Sequence, residues 1–197
     1  MRIKNFLILF IFIFSYSNFN KVYSMEADVF VQSTVNRASK VLSSNLSKNE
    51  KIKELKIIAD ETVDIKAIGI YTLGSYRREL NDAQKKEYAI LFKQYFLKSF
   101  SSRLAEYSNP KIQVKSKKKL NEKYTMVLSV LVPTEKRPEV RIDWRVYTKD
   151  PKNFLIRDLI IEGLSLVRTQ KEEFSSILQS NNEDINALFS SLKEFVK

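Results

Sequence analysis

In this 197-residue chain, the pair of residues best placed for acid–base work is Asp158 with Glu162. Both fall in the run Phe154 to Glu162, whose period of two reads as a β-strand. Four residues along a strand puts two side chains on one face but about 13 Å apart. A glycosidase pair needs roughly 5 to 9.5 Å, so these acids read as structural or interaction groups. The sequence holds no His and no Cys. That excludes the usual zinc and copper ligands, Ser-His-Asp hydrolysis and thiol catalysis. Gly69, Gly74 and Gly163 stand alone, so no glycine-rich phosphate loop exists. The densest charge run is Lys111, Lys115, Lys117, Lys118, Lys119 and Lys123. It suits an anionic surface, and it equally suits an edge strand kept from aggregating by lysines.

The elements that would position these groups fall into two patterns. Residues 26–107 read as helical. Val29, Val31, Val35, Ala38, Val41 and Leu42 recur at near-helical spacing, and Ser47 with Glu50 forms a capping-box start for a helix carrying Ile52, Leu55 and Ile58. Asp64 is a good N-cap for a third helix running past Leu73, and Asn81 with Gln84 opens a fourth. In that fourth helix Tyr88, Phe92, Phe96, Phe100 and Leu104 repeat every four residues, with Leu91, Tyr95 and Tyr107 widening the stripe. Spacing alone makes this an ordinary core helix. After Asn109-Pro110 the period changes to two, giving strands at 111–118, 124–132, 139–148 and 154–162 in an antiparallel meander. In the third, Val140, Ile142, Trp144 and Val146 form a dry face, while Arg141, Asp143, Arg145 and Tyr147 form a wet one. Two amphipathic helices close the chain, through Phe174, Ile177 and Leu178 and through Ile185, Leu188, Phe189, Leu192 and Phe195. Helices, then strands, then helices predict an α+β fold, with helices covering one face of a curved antiparallel sheet of about four strands.

Residues 1–24 read as a secretory signal: Arg2 and Lys4 precede the apolar run Phe6 to Phe14, with cleavage after Ser24. Nine apolar residues are about half of the roughly 20 that a membrane-spanning helix needs. Without cysteine, neither a lipidated N-terminus nor a disulfide is available, so an exported domain relies on its own core. Residues 25–197 then form a single domain, since three Gly and four Pro leave no credible interdomain linker. Loss of Arg2, Lys4 and Lys21 lowers the formal charge from +11 to +8. A basic exported protein suits acidic lipid headgroups or an acidic protein face, and export disfavours nucleic acid.

Two segments carry a resemblance to a known family. Asp64-Ile65, Leu73-Gly74-Ser75-Tyr76-Arg77-Arg78 and the stripe from Gln84 to Tyr107 resemble the helical signature of the MlaC family of periplasmic phospholipid-binding proteins, the toluene-tolerance auxiliary family. Ile156-Arg157-Asp158-Leu159-Ile160-Ile161-Glu162-Gly163-Leu164-Ser165-Leu166-Val167, with Phe174 and Leu178, is similar to its strand-to-helix segment. The sequence departs where many members have Trp at Arg77, Arg at Lys171 and Gly near Asn182.

The resemblance implies a non-enzymatic soluble shuttle, monomeric and without cofactor, carrying phospholipid as cargo. Its partners would be an outer-membrane lipoprotein complex and an inner-membrane ABC transporter with an MCE-domain subunit, in a system that maintains outer-membrane lipid asymmetry. It also turns the expected core into a lipid cavity between sheet and helices. With clean strand alternation, the wall would be Leu73, Phe92 and Phe96 from the helices and Leu128, Val130, Ile142, Trp144, Val146, Leu159 and Ile161 from the sheet. The rival reading is an exported adaptor that binds no lipid and docks its basic surface on an acidic protein.

Overall fold

The computed structural model describes residues 26–135 and 137–197. The expected secretory signal over 1–24 lies outside the described residues. Four helices come first: α1 (Ala27–Leu42), α2 (Lys48–Thr62), α3 (Ile65–Thr72) and, after a 3₁₀ turn at Tyr76–Arg78, α4 (Asp82–Leu104). Strands β1 (Ile112–Asn121), β2 (Tyr124–Leu131), β3 (Val140–Tyr147), β4 (Leu155–Ile161) and β5 (Leu164–Ser165) follow. Helices α5 (Leu166–Ser180) and α6 (Ile185–Val196) close the chain. The fold is α+β, an open antiparallel sheet in the order β1-β2-β3-β4-β5 with a helical layer on one face.

The helix starts follow from side-chain capping. Ser47 Oγ accepts from the Glu50 amide while the Glu50 carboxylate accepts from the Ser47 amide, and Asn81 and Gln84 repeat the exchange at α4. Asp64 Oδ1 accepts from the Ala67 amide at 3.0 Å and so opens α3. The third helix does not run past Leu73 as the sequence predicts. It stops at Thr72 because Leu73 is the C-cap and Gly74 turns left-handed, with φ 58°. A Cβ at Gly74 would also meet Lys171 Cε at 3.0 Å. Val29, expected on the inner stripe of α1, is exposed. Val31, Val35 and Leu42 of that stripe are buried, joined by Ala27 and by Thr34, whose hydroxyl donates to the Phe30 carbonyl and so can turn inward.

Register fixes which strand residues face the helices. Val127 lies opposite Trp144 and Trp144 opposite Leu159, while Ser129 lies opposite Ile142 and Ile142 opposite Ile161. A bulge between Arg145 and Val146 on the β3–β4 ladder then brings Ile156 opposite Val146, so an even-numbered β4 residue joins the same face as Leu159 and Ile161. At the end of β4, Glu162 and Gly163 both take positive φ, 49° and 84°. That is the two-residue hairpin geometry that sends the chain back into β5, where Ser165 caps α5. The far face of β3 is not wholly wet: Asp143 is buried. Arg141 covers it with a two-point contact, Nε to Oδ1 at 3.0 Å and Nη2 to Oδ2 at 2.6 Å.

Candidate functional site

Between the sheet and the helices lies a cavity of about 370 Å³. Its far wall is built by α1 and α2, with Val35, Leu42, Leu55, Ile58 and Ala59. The second half of α4 supplies Phe96, Phe100 and Leu104. The sheet supplies Leu131, Val140, Ile142, Trp144, Ile156, Leu159 and Ile161.

The few polar side chains among this lining are mostly spent on the protein itself. Thr34 and Thr62 donate to carbonyls one helical turn back, at Phe30 and Ile58, and Ser39 donates to the Pro110 carbonyl. Asp158, 3% exposed, accepts from Ser165 Oγ at 2.7 Å and from the Val167 amide at 3.2 Å, with Arg145 at 3.6 Å. It ties β4 to the start of α5. Such hydroxyls and carboxylate offer little to a polar guest, so the interior suits hydrocarbon. Arg103 and Arg137 are different and sit with Tyr107 at the more exposed rim. Among the described residues, no group of His, Cys, Asp and Glu could hold a metal ion, and no helix is long and apolar enough to cross a membrane.

Of the residues named from sequence, the structure gathers Phe96, Ile142, Trp144, Leu159 and Ile161 around this one cavity. Val146 shares their face of the sheet but is fully buried in the packed core beside Ile156. Leu128 and Val130 fall on the opposite face, half-buried, opposite Asp143 and Arg141. The alternate set Val127, Ser129 and Leu131 points inward. Ser129 is what hides this phase in the sequence, a polar residue on the dry face. It is accommodated because Trp144 Nε1 donates to its Oγ at 2.8 Å and that Oγ donates to the Ile142 carbonyl at 2.8 Å.

Leu73 and Phe92 lie instead on a second groove of about 810 Å³ along α3 and α4, which shares only Val63 with the cavity. Phe92 is packed there against Tyr88, Phe96 and Phe174, its ring filling the space left by Gly69.

Sequence reasoning missed the whole α1–α2 wall, Val35, Leu42, Leu55, Ile58 and Ala59, together with Leu131 and Val140 of the sheet, Phe100 and Leu104 of α4, and Ile156 of β4. Phe100 and Leu104 stood in the α4 stripe and needed only to be carried further along it. Ile156 required the bulge, which nothing in the alternation announces. Four of the lysines, Lys115, Lys117, Lys118 and Lys119, lie on β1, which among the described residues is an edge strand paired with β2, while Lys111 precedes it and Lys123 sits in the turn after it. There Lys117 pairs with Glu26 and with Asp28, and Lys119 with Glu122 at 2.8 Å. The Lys117 ammonium holds the Asp28 carboxyl below its ordinary range.

An open antiparallel sheet that keeps a dry cavity against its helical layer defines a class of small α+β domains able to enclose an apolar ligand. The chain belongs to the MlaC family, whose model, described as MlaC protein, matches residues 32–194. Among solved structures it is similar to a phospholipid-binding protein from Ralstonia solanacearum, determined in complex with a phospholipid. The TM-score is 0.72 at 19% identity, covering 87% of this chain and 97% of that one. At that identity the likeness establishes the fold.

Proposed function

We propose that this chain is a periplasmic phospholipid carrier that encloses acyl chain in the cavity between sheet and helices. It passes lipid between an outer-membrane lipoprotein complex and an inner-membrane ABC transporter with an MCE-domain subunit, and so serves outer-membrane lipid asymmetry. The observation that carries the reading is the dry lining, in which the threonine and serine hydroxyls and the Asp158 carboxylate are already bonded within the protein. Each methylene withdrawn from water contributes about 0.8 kcal/mol, so one sixteen-carbon chain left exposed would cost on the order of 10 kcal/mol. A soluble carrier must hide that surface, and an apolar cavity with cations only at its rim does so. Membership of the MlaC family supports the same reading, as does the bound phospholipid of the Ralstonia protein.

The wall residues proposed to touch lipid are Phe96, Phe100, Leu104, Ile142, Trp144, Leu159 and Ile161. The test is to purify the protein without detergent, extract it with organic solvent and weigh the extract by mass spectrometry. Stoichiometric phospholipid is the expected result. Lipid-free preparations that also refuse added phospholipid would remove the reading and leave an adaptor that docks by its basic surface.

A further inference from the structure

We propose that Arg137 and Arg103 form an anion seat at the rim of the cavity that takes the phosphodiester of the bound lipid. The inference rests on the carrier reading above and adds to it a site for the headgroup.

Arg137 is held in place before any ligand arrives. It follows β2 in the loop Pro133 to Pro138, where its amide donates to the Thr134 carbonyl at 3.1 Å and its carbonyl accepts from the Thr134 amide at 2.8 Å. That two-bond bridge ties Arg137 to Thr134 at the end of the loop, next to Pro138. Its guanidinium lies over the Tyr107 ring, 5.7 Å from the centroid. Its Nε is shielded from solvent and has no hydrogen-bond partner among the described residues. A buried donor left unpaired is costly, and a guanidinium is the group whose planar fork matches phosphate oxygens. Arg103, in the last turn of α4, lines the same cavity one turn before Tyr107.

The surrounding charges leave both cations available. Among the described residues no ion pair reaches either arginine. The one carboxylate in the lining, Asp158, is engaged by Ser165, Val167 and Arg145. Glu135 and Glu139 on the same loop are exposed to solvent. A lipid whose tails enter the dry interior leaves its phosphate at this rim. There the exposed Arg103 and the half-buried Arg137 meet it at the boundary between hydrocarbon and water.

Trp144, the single tryptophan of the chain, lines the cavity and gives a direct readout. Its emission is titrated with dioctanoyl phosphatidylglycerol, with dioctanoylglycerol, which has the same tails and no phosphate, and with inorganic phosphate. The wild-type protein is expected to bind the phospholipid roughly tenfold or more tightly than the diacylglycerol, the scale of one or two charge-assisted hydrogen bonds. Arg103→Gln/Arg137→Gln should lose that preference while its diacylglycerol affinity stays the same. Arg137→Lys, which keeps the charge and loses the fork, should lose part of it. Inorganic phosphate at millimolar concentration should not displace the lipid. Circular dichroism and melting confirm that each variant is folded.

A double variant that keeps the full preference for phospholipid would overturn the proposal. So would inorganic phosphate binding as tightly as the lipid, which would make the rim a free-anion site. Binding of diacylglycerol and phospholipid with equal affinity by the wild type also removes the seat but leaves the carrier standing. Failure of both lipids to bind removes the carrier reading itself, and the seat with it.

Discussion

Tyr88, Leu91 and Phe92 in the first half of α4, and Phe96, Phe100 and Leu104 in the second, continue one stripe along one helix, yet they do opposite things. The first three are 3%, 7% and 2% exposed, and Tyr88 and Phe92 belong to a packed aromatic stack that borders the groove along α3. Tyr88 lies 5.7 Å from Phe92 and 6.4 Å from Phe189 of α6, Phe92 meets Phe174 of α5 edge-on at 6.2 Å, and the Tyr88 hydroxyl bonds Thr72 Oγ1 at 2.8 Å. The second three are only half-buried, with Phe96 and Phe100 stacked on each other at 5.5 Å and bordering the cavity. The stripe sets the face that turns inward. What stands opposite decides whether that face becomes core or wall: Phe174 of α5 and Phe189 of α6 pack on the first half, and among the described residues the second half faces α1, α2 and the sheet across the cavity.

The largest way to break this contrast is Phe92→Ala. A ring removed from a packed stack leaves a hole that neighbours close only in part, so stability should fall by about 3–5 kcal/mol in urea unfolding. A cost below about 1 kcal/mol would show that the first half is as loose as the second. Gly69→Ala tests the same packing from the other side. The added Cβ would lie 2.8 Å from Phe92 Cδ1, and Phe92 is too enclosed to step aside. Overpacking of this kind costs about 1–3 kcal/mol, and unchanged stability would mean that the ring has room to move.

A third expectation uses protons. Burial pushes the Tyr88 phenol up from its usual value near 10, so the folded state holds that proton more tightly than the unfolded chain. A raised pKa contributes stability that is fully present below about pH 10 and declines as pH rises beyond it. Wild-type stability should therefore fall above pH 10 by up to about 1.4 kcal/mol per pH unit more steeply than that of Tyr88→Phe. Parallel slopes for the two proteins would show the phenol to be in contact with water.

How much of this was legible in advance depends on which physics each feature uses. Caps are local, so Ser47-Glu50, Asp64 and Asn81-Gln84 mark three helix starts in sequence alone. Four of the five strands, and their order, follow from alternation and turn residues, which act over a few positions. β5 escaped because two residues carry no period, although its Glu162-Gly163 turn was in view. The phase of β2 misled because Ser129 reads as polar, and only its bonds to Trp144 and the Ile142 carbonyl make it an inner residue. The β4 bulge and the split character of α4 are tertiary. Neither depends on the residues next door, so neither leaves a mark in the local pattern. The MlaC resemblance supplied the idea of a cavity, while its position along α4 came only with the positions of α5 and α6.

The smallest expected effect on the protein alone is the most informative about the wall. Phe100→Ala removes a half-buried ring that borders the cavity and stacks on Phe96. Without lipid, few contacts are lost and no closed hole is made, so the cost should be on the order of 1 kcal/mol or less. With lipid, the picture reverses. A ligand that binds only the folded state stabilises it by RT ln(1 + [L]/Kd), so a weaker grip appears as a smaller rise in melting temperature on adding phospholipid. Phe100→Ala should melt near the wild type when lipid-free and fall behind it when lipid is present, whereas Phe92→Ala should be low in both states. If Phe100→Ala instead lost as much stability without lipid as Phe92→Ala, the second half of α4 would be core like the first, and the boundary between filling and wall would have to be redrawn along the helix.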